Sequence, residues 1–119
     1  MSSDTPRLRA GVVGLGMMGR NHVRVYDQLV DEVDLVAVAD PDPAALRSAT
    51  TGRAARGYTD VARLFAEERL DLLSVAAPTS HHLDVALAAF AAGVNVLVEK
   101  PIAATRDEAE RMIAAAADA

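Results

Sequence analysis

Short uninterrupted apolar runs alternate along this chain with longer stretches in which apolar residues recur every three or four positions. "LRAGVVGLG" is a brief apolar run ending in glycines, and "MMGRNHVRVYDQLV" follows with Val23, Tyr26 and Val30 at helical spacing. The pair reads as a strand, a tight turn and a helix. "DLVAVAD" is a second buried strand. "PDPAALRSATTG" is a short helix with Asp42 as its cap, Pro43 at its first position and Gly52 past its end. "ARGYT" is a weak third strand, and "DVARLFAEERL" a helix with Val61, Leu64 and Phe65 on its apolar face. "DLLSVAAP" is a fourth strand stopped by Pro78. In "HHLDVALAAFAAG" the residues Leu83, Ala86, Leu87 and Phe90 share one face before a capping Gly93. "VNVLVEK" is the fifth strand, and Thr105 and Glu108 open the closing helix at capping-box spacing.

Strands that alternate with helices in this way predict an α/β fold. Each crossover helix must pack back on a parallel sheet with right-handed connection, which gives a Rossmann-like sheet in order 3-2-1-4-5 with helices on both faces. Residues 1–119 are expected to form a single dinucleotide-binding domain. In such sheets ligands bind outside the carboxyl ends of the strands, and the polar residues of this sequence collect there.

Composition narrows the classes of function. The net charge of −5, the absence of a basic run and the presence of only two Phe and two Tyr argue against nucleic acid as a partner. Without cysteine there is neither a disulfide framework nor a thiolate metal site, and no other metal site is expected. The N-terminus "MSSDTPRLRA" has no apolar core of the signal-peptide kind, and no apolar run reaches the ~20 residues of a membrane span. A cytoplasmic protein with no membrane contact is expected. Eleven of the twelve basic residues are Arg, and Lys100 is the only lysine.

Four constellations carry candidate chemistry. Gly14, Gly16 and Gly19 have G-x-G-x-x-G spacing between a strand and a helix: the first for the turn, the second for close approach of a pyrophosphate, the third for helix–strand packing. The plainer alternative is a glycine-rich turn. Asp40 ends the second strand, 21 residues past Gly19, where an acid would bond the adenosine ribose hydroxyls and repel a 2′-phosphate. NAD is therefore favoured over NADP, although Arg47 could reach the ribose, and a capping aspartate is the alternative. "APTSHH" ends the fourth strand with Thr79 and Ser80 as hydrogen-bonding groups. His82 follows in the next helix's first turn, where a neutral imidazole could position a ribose or substrate hydroxyl. A capping serine beside an exposed histidine pair explains the same letters. Last, Glu99 and Lys100 end the fifth strand on opposite sides, and Pro101 stops the pairing and makes its peptide bond a candidate cis bond. An ammonium there, buried and close to the charge of the cofactor, could bind a substrate hydroxyl and assist its deprotonation, a role closed to an always-protonated Arg; the alternative is a surface lysine at a loop start.

In order, "GVVGLGMMGRNH", "VAVADPDP", "SVAAPTSHHLDVALAAFAAGVNVLVEKPIAAT" and the closing helix resemble the N-terminal half of the Gfo/Idh/MocA oxidoreductases, which include glucose-fructose oxidoreductase and inositol dehydrogenase. The Pro-x-x-x-His segment followed by Glu-Lys-Pro is the most specific part. The resemblance implies that Gly14, Leu15, Gly16, Met17 and Met18 hold the pyrophosphate and Asp40 the adenosine ribose. It puts Ala77, Pro78, Thr79 and His82 on the nicotinamide side, with Glu99 and Lys100 at the nicotinamide ribose and substrate, Lys100 being catalytic. It further implies hydride transfer between NAD(P) and a secondary alcohol of a sugar, nucleotide-sugar or cyclitol. "APTSHHLDVAL" and "VLVEKPIAAT" are similar to members acting on nucleotide-linked amino sugars. The family continues into a sixth strand and a second domain for substrate and oligomer contacts, which this chain is expected to lack, so that alone it should be inactive or nearly so. A stand-alone dinucleotide-binding or sensing module is the alternative. Without a sixth strand, Val96, Leu97 and Val98 should form an open edge through which the chain self-associates, unless the closing helix folds over it.

Overall fold

The computed structural model of the chain describes residues 6–119; the first five residues, part of the polar N-terminus considered above for a signal peptide, lie outside the described residues. In chain order the elements are β1 (Leu8–Val13), α1 (Met17–Gln28), β2 (Val33–Ala39), α2 (Pro43–Thr50), β3 (Arg56–Tyr58), α3 (Val61–Glu67), β4 (Leu72–Val75), a 3-10 turn (Thr79–His81), α4 (His82–Ala91), β5 (Asn95–Val98) and α5 (Arg106–Asp118). The strands form one parallel sheet in the order β3-β2-β1-β4-β5. The chain winds outward from β1 to β3, then crosses back to place β4 on the other flank of β1. The carboxyl ends of β1 and β4 therefore feed loops that part in opposite directions and leave a crevice between them.

Alternation along each strand divides the core between the two faces. Ala10, Val12 and Val38 pack with Val23 and Tyr26 of α1 and Ala49 of α2. Their neighbours Val13, Ala37 and Ala39, with Leu73 and Val75, pack with Leu64 of α3 and with Val85 and Ala89 of α4. Ser74 is buried on the α1 side, where its hydroxyl and that of Tyr26 share a 2.7 Å hydrogen bond. Burial pushes the Tyr26 hydroxyl above its ordinary range.

The helix boundaries follow side-chain caps. Asp42 accepts from the Ala44 N–H (3.0 Å), Asp60 from that of Ala62 (2.9 Å) and Thr105 from that of Glu108 (3.1 Å). Gly93 follows α4 with φ of 75°, a conformation costly to a residue bearing Cβ.

In two helices the packing differs from the sequence expectation. The α4 stripe Leu83, Ala86, Leu87 and Phe90 meets Met112 of α5, while Val85 and Ala89 meet the sheet. Lying between sheet and α5, this helix is apolar on two sides, which blurs the single-face pattern. Helix α3 ends at Glu67, because Glu68 turns inward. Its buried carboxylate accepts from Arg56 (2.5 and 2.6 Å) and from the Tyr58 hydroxyl (2.5 Å), with Arg9 at 3.5 Å. These donors, Arg56 foremost, hold the Glu68 carboxyl below the usual glutamate range, and Glu68 in turn raises the Tyr58 hydroxyl. The cluster ties the short β3 to the rest of the sheet.

At the other flank β5 pairs only with β4 among the described residues, and Leu97 is 54% exposed. Helix α5 packs against α4 and leaves Leu97 uncovered.

Candidate functional site

The loop between β1 and α1 is shaped by its glycines. The Gly14 N–H extends the sheet by donating to the Ala39 carbonyl (2.8 Å), and its φ is 93°. A Cβ at Gly14 would lie 2.5 Å from the Ala76 carbonyl carbon, so the backbone after β4 can approach only because that atom is missing. A Cβ at Gly19 would overlap the Gly14 carbonyl oxygen, which sets the first turn of α1 directly on the loop. Gly16 differs: a Cβ there would meet nothing within 4 Å. The atom absent at Gly16 leaves open space in front of the α1 N-terminus. Gly16 is also the N-cap of α1 and offers no side-chain cap, nor does an acidic residue stand in the first turn. The first N–H groups of a 12-residue helix thus face open space with the positive end of its dipole behind them, an arrangement suited to a phosphate.

Asp40 flanks this loop from the end of β2. One carboxylate oxygen accepts from the Leu15 N–H (2.8 Å), the other from the Asp42 N–H (2.9 Å). A carboxylate has about four acceptor positions, so each oxygen keeps one for a ligand hydroxyl. The Leu15 side chain is buried and its N–H is taken by Asp40, so its part in the site is that of a brace. Arg47 lies in the last turn of α2, is not among the residues lining the cleft, and makes no hydrogen bond or ion pair with Asp40 among the described residues.

The loops after β4 and β5 complete the cleft. His82 departs from the expected role. It is 1% exposed, with Nε2 2.7 Å from the Ala77 carbonyl and Nδ1 3.1 and 3.2 Å from the carbonyls of Pro101 and Ile102. Both ring nitrogens are occupied by backbone, so His82 rivets the Pro78 loop to the Pro101 loop and forms the floor of the cleft. Glu99 donates its N–H to the Val75 carbonyl (3.0 Å), strand pairing then stops, and the Lys100–Pro101 peptide is cis. Lys100 is exposed and, among the described residues, has no hydrogen-bonded partner or ion pair. The burial invoked for its role as a proton acceptor is not supplied by these residues.

One residue escaped the sequence reading. His22, on the second turn of α1, places Nε2 2.7 Å from Glu99 Oε1. Met18 and His22 lie four apart, on one side of α1, and that spacing was the available signal.

All twelve positions singled out by the resemblance line one cleft of about 510 Å³, joined by Ala76. A second, more apolar hollow of about 260 Å³ adjoins it beyond Asp40, walled by Pro41, Thr59, Val61, Pro78 and His81.

The profile of the oxidoreductase family with an NAD-binding Rossmann fold matches residues 8–119. The chain belongs to that family. Inositol 2-dehydrogenase of Salmonella typhimurium is 36% identical over 110 residues, an overlap that covers 91% of this chain and 33% of that enzyme. D-apiose dehydrogenase of Paraburkholderia graminis is 33% identical, with 96% and 30% covered. The crystal structure of the WlbA dehydrogenase from Bordetella pertussis, in complex with NADH and UDP-GlcNAcA, superposes with a TM-score of 0.90 at 31% identity, covering 95% of this chain and 35% of that one. The chain spans about a third of the length of the curated relatives it matches. Among the described residues no helix is long and apolar enough to cross a membrane.

Proposed function

We propose that this chain is the cofactor domain of an NAD-dependent oxidoreductase acting on a secondary alcohol of a sugar, nucleotide-sugar or cyclitol. The observation that carries the reading is the uncapped start of α1 facing open space at Gly16, with the Asp40 carboxylate at its flank. The N–H groups of α1 would hold the pyrophosphate, Asp40 the adenosine ribose, and the apolar hollow beyond it the adenine. Glu99 would accept from a hydroxyl of the nicotinamide ribose. A bound nicotinamide supplies a hydride acceptor or donor. Lys100, at the end of the cleft opposite Asp40, would bind the substrate hydroxyl and hold or release its proton.

The preference for NAD follows from charge. Asp40 presents acceptors where a 2′-phosphate would sit, and among the described residues Lys100 is the single Lys or Arg lining the cleft. The relatives' names and the nucleotide-sugar bound to the Bordetella enzyme support the substrate class. The exposed Lys100 favours a second reading for the chain by itself, a domain that binds the cofactor without turnover. We further propose that the open β5 edge around Leu97 lets two copies associate.

Titration calorimetry tests the cofactor reading. The chain should bind NAD more tightly than NADP, and Asp40→Ala should weaken NAD by about 10- to 100-fold, the worth of hydrogen bonds to a charged group, while narrowing the gap to NADP. Equal affinities in the parent chain, or a preference that survives the substitution, would remove Asp40 from this role.

A further inference from the structure

We propose that His22 is a positioning residue for the nicotinamide end of the cofactor, acting through Glu99; this rests on the cofactor reading above. Glu99 is the acidic residue at the Lys100 end of the cleft, and its backbone is already fixed by the bond to Val75. Its side chain would otherwise be free to choose among rotamers. The His22 imidazole removes that choice: Nε2–H donates to Oε1 at 2.7 Å, with the two side chains 15% and 24% exposed. A carboxylate only accepts, so the imidazole is the donor whichever form it takes. Oε2 has no partner among the described residues and is left for a ligand hydroxyl.

The position of His22 along α1 gives this bond a second consequence. The N-terminus of that helix is where the pyrophosphate would sit, and His22 lies six residues past Gly16, roughly 9 Å along the axis at the rise of an α-helix. A dinucleotide carries its second ribose about one linkage beyond its phosphates. One rigid element thus presents donors to the pyrophosphate and, through His22, fixes the acceptor for the next sugar. The bond spans 77 residues of sequence and joins the first crossover helix to the last strand, so the two ends of the ligand site are held in register before ligand arrives.

The test compares two ligands that differ at the nicotinamide end. NADH contains the ribose that Glu99 would hold, whereas ADP stops at the pyrophosphate. In fluorescence or calorimetric titrations, His22→Ala should weaken NADH about tenfold, as expected for loss of one hydrogen bond to a charged group, and leave ADP within about twofold. His22→Gln carries an amide N–H₂ at nearly the same reach and should bring NADH back to within about threefold of the parent chain. In a Glu99→Ala background, His22→Ala should add nothing. Equal losses for NADH and ADP would identify the pair as a brace of the fold and overturn the proposal. Unchanged NADH affinity, or additive losses in the double variant, would overturn it as well. A parent chain that bound neither nucleotide would overturn the cofactor reading and this inference with it, and the first titration would reveal that before any variant was made.

Discussion

Gly14 and Gly16 sit two residues apart in the same loop, yet alanine should do opposite things at the two sites. At Gly16 the backbone has φ of −71° and ψ of −162°, ordinary extended geometry for any residue, and the added Cβ meets nothing within 4 Å. Alanine is a poorer N-cap than glycine by about 0.5–1 kcal/mol. It also restricts the unfolded chain, which stabilises by about 0.4–1 kcal/mol. The two effects nearly cancel, so Gly16→Ala should unfold within a degree or two of the parent. The methyl group would nevertheless stand in the space before the α1 N-terminus. Each charge-assisted bond lost to the pyrophosphate should cost about 1.5–3 kcal/mol, a weakening of about 10- to 100-fold for NAD. At Gly14 the φ of 93° alone costs a residue bearing Cβ about 1–2 kcal/mol, and the overlap with the Ala76 backbone cannot be relieved by a rotamer change. A loss of about 3 kcal/mol, on the order of 10 °C in Tm for a chain of this size, is expected. Calorimetric scans and NAD titrations of both variants decide the matter. A Gly16→Ala chain that folds and binds NAD as the parent does would refute the assignment of the pyrophosphate to this loop, and a Gly14→Ala chain of parental stability would refute the packing argument.

Other outcomes follow from groups away from the cleft. Ser74→Ala or Tyr26→Phe should each cost about 1–3 kcal/mol in urea unfolding by stranding the other buried hydroxyl, and the double variant should lose less than the two combined; additive losses would mean that the 2.7 Å bond contributes nothing. Glu68 and Asp71 are held below their ordinary values of 4.5 and 3.8, chiefly by the Arg56 hydrogen bonds and by the Arg9 N–H respectively. A depressed carboxyl contributes stability above its unfolded value and loses it as pH falls through the folded one. The urea midpoint should therefore fall as pH drops below about 4.5, and Glu68→Gln should flatten that fall. For the β5 edge, sedimentation at rising concentration should reveal association that Leu97→Lys abolishes; a parent that stays monomeric at high concentration would rule out this edge as a contact.

Where a residue's role depended on its near neighbours, the sequence disclosed it. The five strands and their order follow from apolar runs alternating with helical spacing, and even the three-residue β3 is found because the alternation requires it. The turn at Gly14 and the close packing at Gly19 announce themselves by spacing alone, as do the places of Gly16 and Asp40 beside the cleft. Roles that depend on distant partners stayed hidden. His82 looks like a cleft-facing imidazole until the loop 19 residues on turns its carbonyls toward Nδ1. Glu68 reads as an ordinary helical glutamate because Arg56, Tyr58 and Arg9 come from other elements. His22 has only its helical spacing from Met18 to mark it, since Glu99 comes to it from 77 residues along the chain.

On the cofactor reading proposed above, the Asp40 carboxylate would do two jobs with one pair of oxygens, which would limit how cofactor preference could change. Exchanging NAD for NADP requires removal of the negative charge, yet the same oxygens accept the Leu15 and Asp42 N–H groups that hold the glycine loop and the approach to α2. Alanine or glycine would relieve the repulsion and release both backbone groups. Asn or Ser keeps a neutral acceptor of short reach, which can retain the bond to Leu15 while admitting a phosphate. Routes to a 2′-phosphate therefore run through those two residues, with an arginine added nearby, and a chain that took the direct step through alanine would trade selectivity for a loosened loop and weak binding of both dinucleotides.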